Sequence, residues 1–201
     1  MLRKIYDTNP SQKDLEAVAE LLRNGGVVIY PTDTLYAIGC DALNVRAVER
    51  VCEIKGTNPN KNTLSIVCAD LSNLSTYAKV DNAVFKLMKR NIPGPFTFIL
   101  NATTSLPKIY KNRKEVGIRV PDNVIVLELV KALGNPILST SVPEDENGVE
   151  YMTDPELIHE RYENQVDMVI DGGYGNIVPS TVVNCLGDDP QIVRQGLGEM
   201  K

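Results

Sequence analysis

Gly25-Gly26-Val27-Val28-Ile29-Tyr30-Pro31-Thr32-Asp33-Thr34-Leu35-Tyr36 decides how the chain is read, because a helix end, a buried strand and a polar turn follow one another without a spacer. Upstream, Ser11 with Asp14 opens a helix whose Leu15, Val18, Leu21 and Leu22 recur at helical spacing, and the glycine pair ends it. Val27 to Tyr30 is an unbroken apolar run, as in a strand covered on both faces, and Pro31 stops it. This order predicts an α/β sheet, in which ligands gather at the carboxyl ends of strands. The turn has two readings. Two threonines beside an aspartate make an ordinary Asx- or Ser/Thr-turn, and they equally make a set of donors and acceptors for a small polar substrate.

The same alternation continues outward. Asn44 caps a second helix with Ala47, Val51 and Ile54 inward, closed by Lys55-Gly56. A third helix covers Asn82 to Arg90 with Val84, Phe85 and Met88 buried, and Pro93-Gly94-Pro95 turns the chain into a strand from Phe96 to Leu100. A strand from Val116 to Val120, a helix from Val124 to Leu133 ended by Gly134, and a strand from Pro136 to Ser141 follow. Thr153 with Glu156 forms a capping box, with Pro155 in the first turn, for a helix reaching Glu163. Closing strands are expected at Val166 to Ile170, Thr181 to Val183 and Gln191 to Arg194, and the acidic stretch Pro143 to Gly148 is expected to be a mobile loop. No repeat or linker divides the chain, so residues 1–201 are read as one domain.

Composition narrows the chemistry. A 43% hydrophobic content is enough to bury a core, and no apolar run reaches the ~18 residues of a membrane span. The N-terminus carries no signal peptide, so a cytoplasmic protein is expected. Cys40, Cys52, Cys68 and Cys185 form no Cys-x-x-Cys pair and His159 is the only histidine, which argues against a zinc site and against Ser-His-Asp or Cys-His schemes. The thiols read as small core residues of a reducing compartment. Net charge is −5, yet Lys55 to Arg119 holds eleven Lys/Arg against three Asp/Glu. That asymmetry fits either a basic concave surface for phosphates or a chance cluster of solvated lysines.

Hydroxyls and cations recur at the predicted strand and helix ends. Lys55 either complements its helix dipole or, with Lys61 on the following Gly/Asn-rich loop, clamps a polyphosphate. Arg119 lies within an apolar strand, a costly position unless it meets an anion or a structural carboxylate. Ser139, Thr140 and Ser141 end one strand; Ser180 and Thr181 follow the glycine-rich bend Asp171 to Gly175; Arg194 ends the last strand. Cations and hydroxyls without a nucleophile–base pair suit phosphoryl or nucleotidyl transfer, where the protein positions groups and neutralises charge.

These residues carry a resemblance. Gly25 to Gly39, Ile54-Lys55-Gly56, Pro93-Gly94-Pro95-Phe96-Thr97, Ile118-Arg119-Val120-Pro121, Ser180-Thr181-Val182-Val183 and Arg194 resemble, in order, the motifs of the YrdC family, the threonylcarbamoyl-AMP synthases. The resemblance implies a single-domain, twisted mixed α/β sheet with helices on its faces and a basic concave surface. It also implies synthesis of threonylcarbamoyl-AMP from L-threonine, bicarbonate and ATP, with release of pyrophosphate and with Mg²⁺ accompanying ATP, for modification of adenosine in tRNA. Carried over, Thr32 and Thr34 hold the threonine substrate, and Arg119 its carboxylate or the nascent carbamate. Lys55, Ser139, Ser141 and Arg194 hold the nucleotide, while Ser180 and Thr181 line the same cleft. Lys55 and Arg119 are the expected catalytic cations.

The chain departs from that pattern at Thr57 in place of an arginine, with Lys61 as the substitute expected from the loop, and at Pro143 in place of an asparagine. Val67 replaces a histidine and Pro179 a glutamate. These changes, with Asp70 to Tyr77, resemble the YciO branch. A second, non-enzymatic function stays open beside the first: double-stranded RNA, tRNA or ribosome binding through Lys86, Lys89, Arg90, Lys108, Lys111, Arg113 and Lys114.

Overall fold

Local hydrogen bonding starts the longer helices. Ser11, Asn44, Asp81, Asn123 and Asp154 each accept an otherwise orphaned first-turn N–H, from Asp14, Ala47, Val84, Val126 and Glu156 respectively. The helices are α1 (Gln12–Arg23), α2 (Val45–Lys55), α3 (Leu74–Tyr77), α4 (Asn82–Asn91), α5 (Lys108–Lys111), α6 (Val124–Leu133), α7 (Glu150–Thr153) and α8 (Pro155–Tyr162). Gly56 and Gly134 end α2 and α6 in the left-handed conformation, at φ 67° and 78°. The structure, a computed structural model, describes residues 1–111, 114–143 and 148–201, and of Lys111 the backbone alone. Four residues of the expected mobile loop, 144–147, lie outside the described residues.

The strands are β1 (Leu2–Lys4), β2 (Val28–Tyr30), β3 (Ala37–Asp41), β4 (Ser65–Val67), β5 (Ala78–Lys79), β6 (Phe96–Ala102), β7 (Glu115–Arg119), β8 (Ile137–Ser141), β9 (Met168–Asp171), β10 (Thr181–Asn184) and β11 (Gln191–Arg194). They form one mixed sheet in the order β1-β9-β2-β3-β8-β4-β7-β6-β10-β11, with β5 paired to the far end of β6. One face carries Val28, Tyr30, Ala37, Val67 and Ile137 into a core with α1 and α6. The other carries Ile29, Ile38, Ile66, Phe98, Ile118 and Leu138 against α2, α4 and α8. The four cysteines are buried and unpaired, as expected of core thiols. Among the described residues no helix is long and apolar enough to cross a membrane.

Two expectations change. The cap of α8 is Asp154, not Thr153: Thr153 ends α7 and its hydroxyl donates to the Val149 carbonyl at 3.1 Å. Pro155 explains the shift, because its ring holds the preceding residue extended, here at φ −87° and ψ 115°, the geometry a cap needs. The strands β1, β3, β4 and β5 carry little pattern of their own, yet β3, β8, β4 and β7 lie side by side in the middle of the sheet. Strand β3, Ala-Ile-Gly-Cys-Asp, is buried throughout and owes its state to pairing with β2 and β8 on either side.

Gly39 is required at its place in β3. A Cβ there would meet the Leu138 carbonyl, Tyr30 Cε1 at 2.7 Å and Ile137 Cγ2 at 2.8 Å. Gly39→Ala is expected to destabilise the protein by about 1–3 kcal/mol as an overpacked core does, read as a lower urea midpoint at unchanged m-value.

Candidate functional site

Strand register places a polar row on one sheet face. Gly39 opposes Ser139, Ser139 opposes Ser65, Ser65 opposes Gly117 and Gly117 opposes Ile99. Thr97 opposes Val182, which opposes Arg194. Because side chains alternate, Arg119, Ser141 and Thr97 share this face with the row, and so do Ala37, Val67 and Ile137 of the α1/α6 core. The apolar layer thus passes into a polar one along the same face. Gly117 keeps the floor low, since a Cβ there would collide with Ser65 Oγ and come within 3.0 Å of Thr97 Cγ2. The result is a cavity of about 260 Å³.

Seven predicted residues stand on its wall: Thr34, Lys55, Arg119, Ser139, Ser141, Ser180 and Arg194. Lys55 leaves the end of α2 and donates to the Ser141 carbonyl at 2.7 Å and to Ser141 Oγ at 3.2 Å, so it ties the helix end to the end of β8. Arg119, only 8% exposed, donates from one terminal nitrogen to Asp33 Oδ1 at 3.2 Å and to Thr34 Oγ1 at 2.9 Å. Asp33 Oδ2 accepts the Asp122 N–H at 3.0 Å. Burial pushes the Asp33 carboxyl above its ordinary value, and Arg119 and the Asp122 N–H pull it down only in part. Arg194 donates from Nε and a terminal nitrogen to the Ser180 carbonyl at 3.2 and 2.8 Å, and Ser180 Oγ lies 2.9 Å from Thr97 Oγ1. Burial lowers the Arg194 guanidinium first, and the positive charge of Arg119 adds to it. Two guanidiniums and a lysine on a wall of hydroxyls offer donors and positive charge of the kind an anion needs.

Three predicted residues do not face the cavity. Thr32 forms the Ser/Thr-turn that the sequence left open: it accepts the Thr34 N–H at 3.0 Å, donates to the Leu35 carbonyl at 2.7 Å, and so presents Thr34 in its place. Thr181 is wholly buried; it donates to the Gly198 carbonyl at 2.7 Å and accepts the Gly196 N–H at 3.0 Å, fastening the C-terminal segment to β10. Lys61 is exposed and stands off the cavity wall, on which Thr57 lies. Thr97 and Ser65 join the wall although the sequence pattern does not single them out: Thr97 is one residue of the Pro93–Thr97 motif, and Ser65 carries no signal in a three-residue strand.

The basic segment divides. Lys86, Lys89 and Arg90 are exposed on α4. Lys108 and Lys114 are exposed where β6 ends and β7 begins, the opposite strand end from Thr97 and Arg119. Arg113 and the Lys111 side chain lie outside the described residues. The basic concavity is therefore built from Lys55, Arg119 and the distant Arg194, with the other described cations elsewhere. Among the described residues no three His, Cys, Asp or Glu side chains are grouped to hold a metal ion.

The Sua5–YciO–YrdC family, described as telomere recombination, matches residues 20–196. The chain is 44% identical to the uncharacterised protein YciO of Escherichia coli K12, over 98% of this chain and 96% of that protein. Its fold superposes on the crystal structure of E. coli YciO with a TM-score of 0.90, covering 99% of this chain and 97% of the other. It is 36% identical to a putative threonylcarbamoyl-AMP synthase of Methanocaldococcus jannaschii, over 96% of this chain and 92% of that protein. A Sua5 from P. abyssi in complex with L-threonine superposes with a TM-score of 0.86 at 27% identity, covering 98% of this chain and 57% of the other.

Asp33 gives the site a pH signature. With a folded-state pKa above the unfolded one, its contribution to stability is fully present below the unfolded pKa and is lost as pH rises through the folded pKa. The stability of the protein minus that of Asp33→Asn is expected to fall as pH rises from 3 towards neutrality. Urea titrations of both proteins across that range check the slope, and a difference that grows with pH contradicts it.

Proposed function

Because the chain belongs to the Sua5–YciO–YrdC family, we propose that its cavity binds ATP with Mg²⁺ and an amino-acid substrate, L-threonine first among them, and forms a carbamoyl-adenylate linked to tRNA modification. The observation that carries this reading is the convergence of Lys55, Arg119 and Arg194, from α2, β7 and β11, on one wall lined with hydroxyls. In this reading the amine of L-threonine condenses with bicarbonate, with loss of water, to a carbamate whose oxygen attacks the α-phosphorus of ATP; the bond to the β-phosphate oxygen breaks and pyrophosphate leaves. Lys55 and Arg194 neutralise charge on the phosphates, with Ser141 and Ser180 as their hydroxyl neighbours, and Arg119 holds the carboxylate or carbamate. Nothing in this step requires a general base from the protein. Mg²⁺ would offset phosphate charge when bound and would enter with the nucleotide.

Thr57 and Pro179 stand on the wall where the family carries charge, and Val67 is sunk in the α1/α6 core. Losing the arginine contact at Thr57 and the asparagine amide at Pro143 weakens the hold on ATP by roughly 2–6 kcal/mol, so slow turnover or a different amine is part of the proposal. The exposed lysines of α4 and of the β6/β7 end favour a second reading, binding of structured RNA on a surface apart from the cavity.

The test is incubation with ATP, bicarbonate and single amino acids, followed by detection of AMP conjugates and pyrophosphate. Lys55→Ala and Arg194→Ala are each expected to lower ATP affinity about ten- to a hundredfold, the loss of one charge-assisted bond. A protein that binds neither ATP nor AMP at millimolar concentration ends this reading. For RNA, Lys108→Glu with Lys114→Glu should weaken binding and flatten its salt dependence while leaving ATP binding unchanged; binding that ignores salt removes the second reading.

A further inference from the structure

Arg194 stands on β11, the last strand of the sheet, which has a neighbour on one side only, and the residue is exposed. Its partner across the ladder is Val182, but the register shifts between Val182 and Val183, so the pairing is interrupted beside it. A long side chain there has many rotamers, and pairing at an edge does not select one. The selection comes from the Ser180 carbonyl, which accepts from Arg194 Nε and from a terminal nitrogen. Where that carbonyl lies therefore decides whether the guanidinium faces the cavity.

The turn after β11 fixes the carbonyl. Residues 195–198 curl round one wholly buried hydroxyl, that of Thr181. Its oxygen accepts the Gly196 N–H at 3.0 Å and its proton goes to the Gly198 carbonyl at 2.7 Å, so both roles of the hydroxyl are used. The Gln195 amide donates to the same Gly198 carbonyl at 2.8 Å and to the Gly196 carbonyl at 3.1 Å. The Leu197 N–H reaches the Pro179 carbonyl at 2.9 Å. Gly196 lies flat against the peptide that follows, since a Cβ there would come within 2.6 Å of the Ser180 carbonyl oxygen. Ser180 is thus gripped by the turn on one side and by Arg194 on the other. No residue after Arg194 stands on the cavity wall.

We propose that Thr181 and Gln195 are positioning residues for anion binding: through the turn at 195–198 they hold Ser180 and Arg194 in the direction the anion needs, without touching it. Thr181, expected from the sequence to line the cleft, acts from behind it instead. The inference rests on the function proposed above for its ligand, ATP, whereas the orientation of Arg194 can be read without any ligand.

The test is calorimetric titration of the full chain with ATP. Thr181→Val keeps the shape of the side chain and removes the hydroxyl. It is expected to lower ATP affinity about tenfold, the loss of one charge-assisted contact, and Thr181→Ser is expected to retain wild-type affinity. Gln195 is exposed, so Gln195→Ala keeps the test open if Thr181→Val does not fold, and it should weaken ATP binding in the same direction. In an Arg194→Ala background neither substitution should cost anything further, because the effect passes through the guanidinium. Equal losses in both backgrounds would overturn the proposal, since the two residues would then act on the fold or the cavity directly. Unchanged affinity in Thr181→Val and Gln195→Ala would overturn it as well. The Nε–H resonance of Arg194, assigned by its absence from Arg194→Ala, gives the readout without ligand. It should be protected from solvent exchange in the wild-type protein and exposed in both variants. If the wild-type protein binds no ATP, the proposed function falls and this resonance decides the inference: lost protection supports it, and protection that survives both substitutions sinks it.

Discussion

A buried guanidinium has to be compensated before a fold can hold it, and Arg119 is compensated by the turn between β2 and β3. Asp33 and Thr34 meet it at 3.2 and 2.9 Å, across 86 and 85 residues of chain, and Asp33 also binds the Asp122 N–H that follows β7. The contact joins the covered half of the sheet, under α1 and α6, to the half that bears the cavity. The energetic balance is close. Asp33 remains harder to ionise than a free carboxyl despite its partner, so the pair does more to place Arg119 than to stabilise the fold.

The polar wall depends on that placement. Once β7 is aligned beside β4 and β6, the small residues of the row, Gly117, Ser65 and Ser139, leave the floor shallow, and the cations at its margins come from other elements. Lys55 is held at Ser141 and Arg194 at Ser180, so each is bound to the backbone of a neighbouring strand end before any ligand arrives. Such preorganisation suits charge stabilisation, because the donors need no reorganisation when the anion binds. The site's cations are thus spread along the chain, and the stretch richest in lysine is mostly elsewhere on the surface.

Several parts of this were legible in the residues alone. The helix limits at Ser11, Asn44, Gly56 and Gly134 follow from local capping, by a side chain or by a left-handed glycine, and they stand where the pattern put them. Likewise β2, β6, β8 and β11 announce themselves by apolar or β-branched runs between turn residues. Strands β3 and β4 do not, because small residues and serines have no period, and their state is imposed by the strands on both sides. At the site, motif order was enough to single out Lys55, Arg119, Ser141, Ser180 and Arg194, all now on one wall.

By itself, the sequence determined the α/β class, the helix caps at Ser11 and Asn44, the buried strand before Pro31 and a set of cations and hydroxyls at element ends. Tertiary structure decided which of them share a cavity: Thr34 and not Thr32, Ser180 and not Thr181, Lys55 and not Lys61. It also brought in Thr97 and Ser65. The reason is one of range. Caps and periodicity act over a few neighbouring residues, whereas a cavity wall is set by register between strands distant in the chain, where a shift of one residue turns a side chain to the other face.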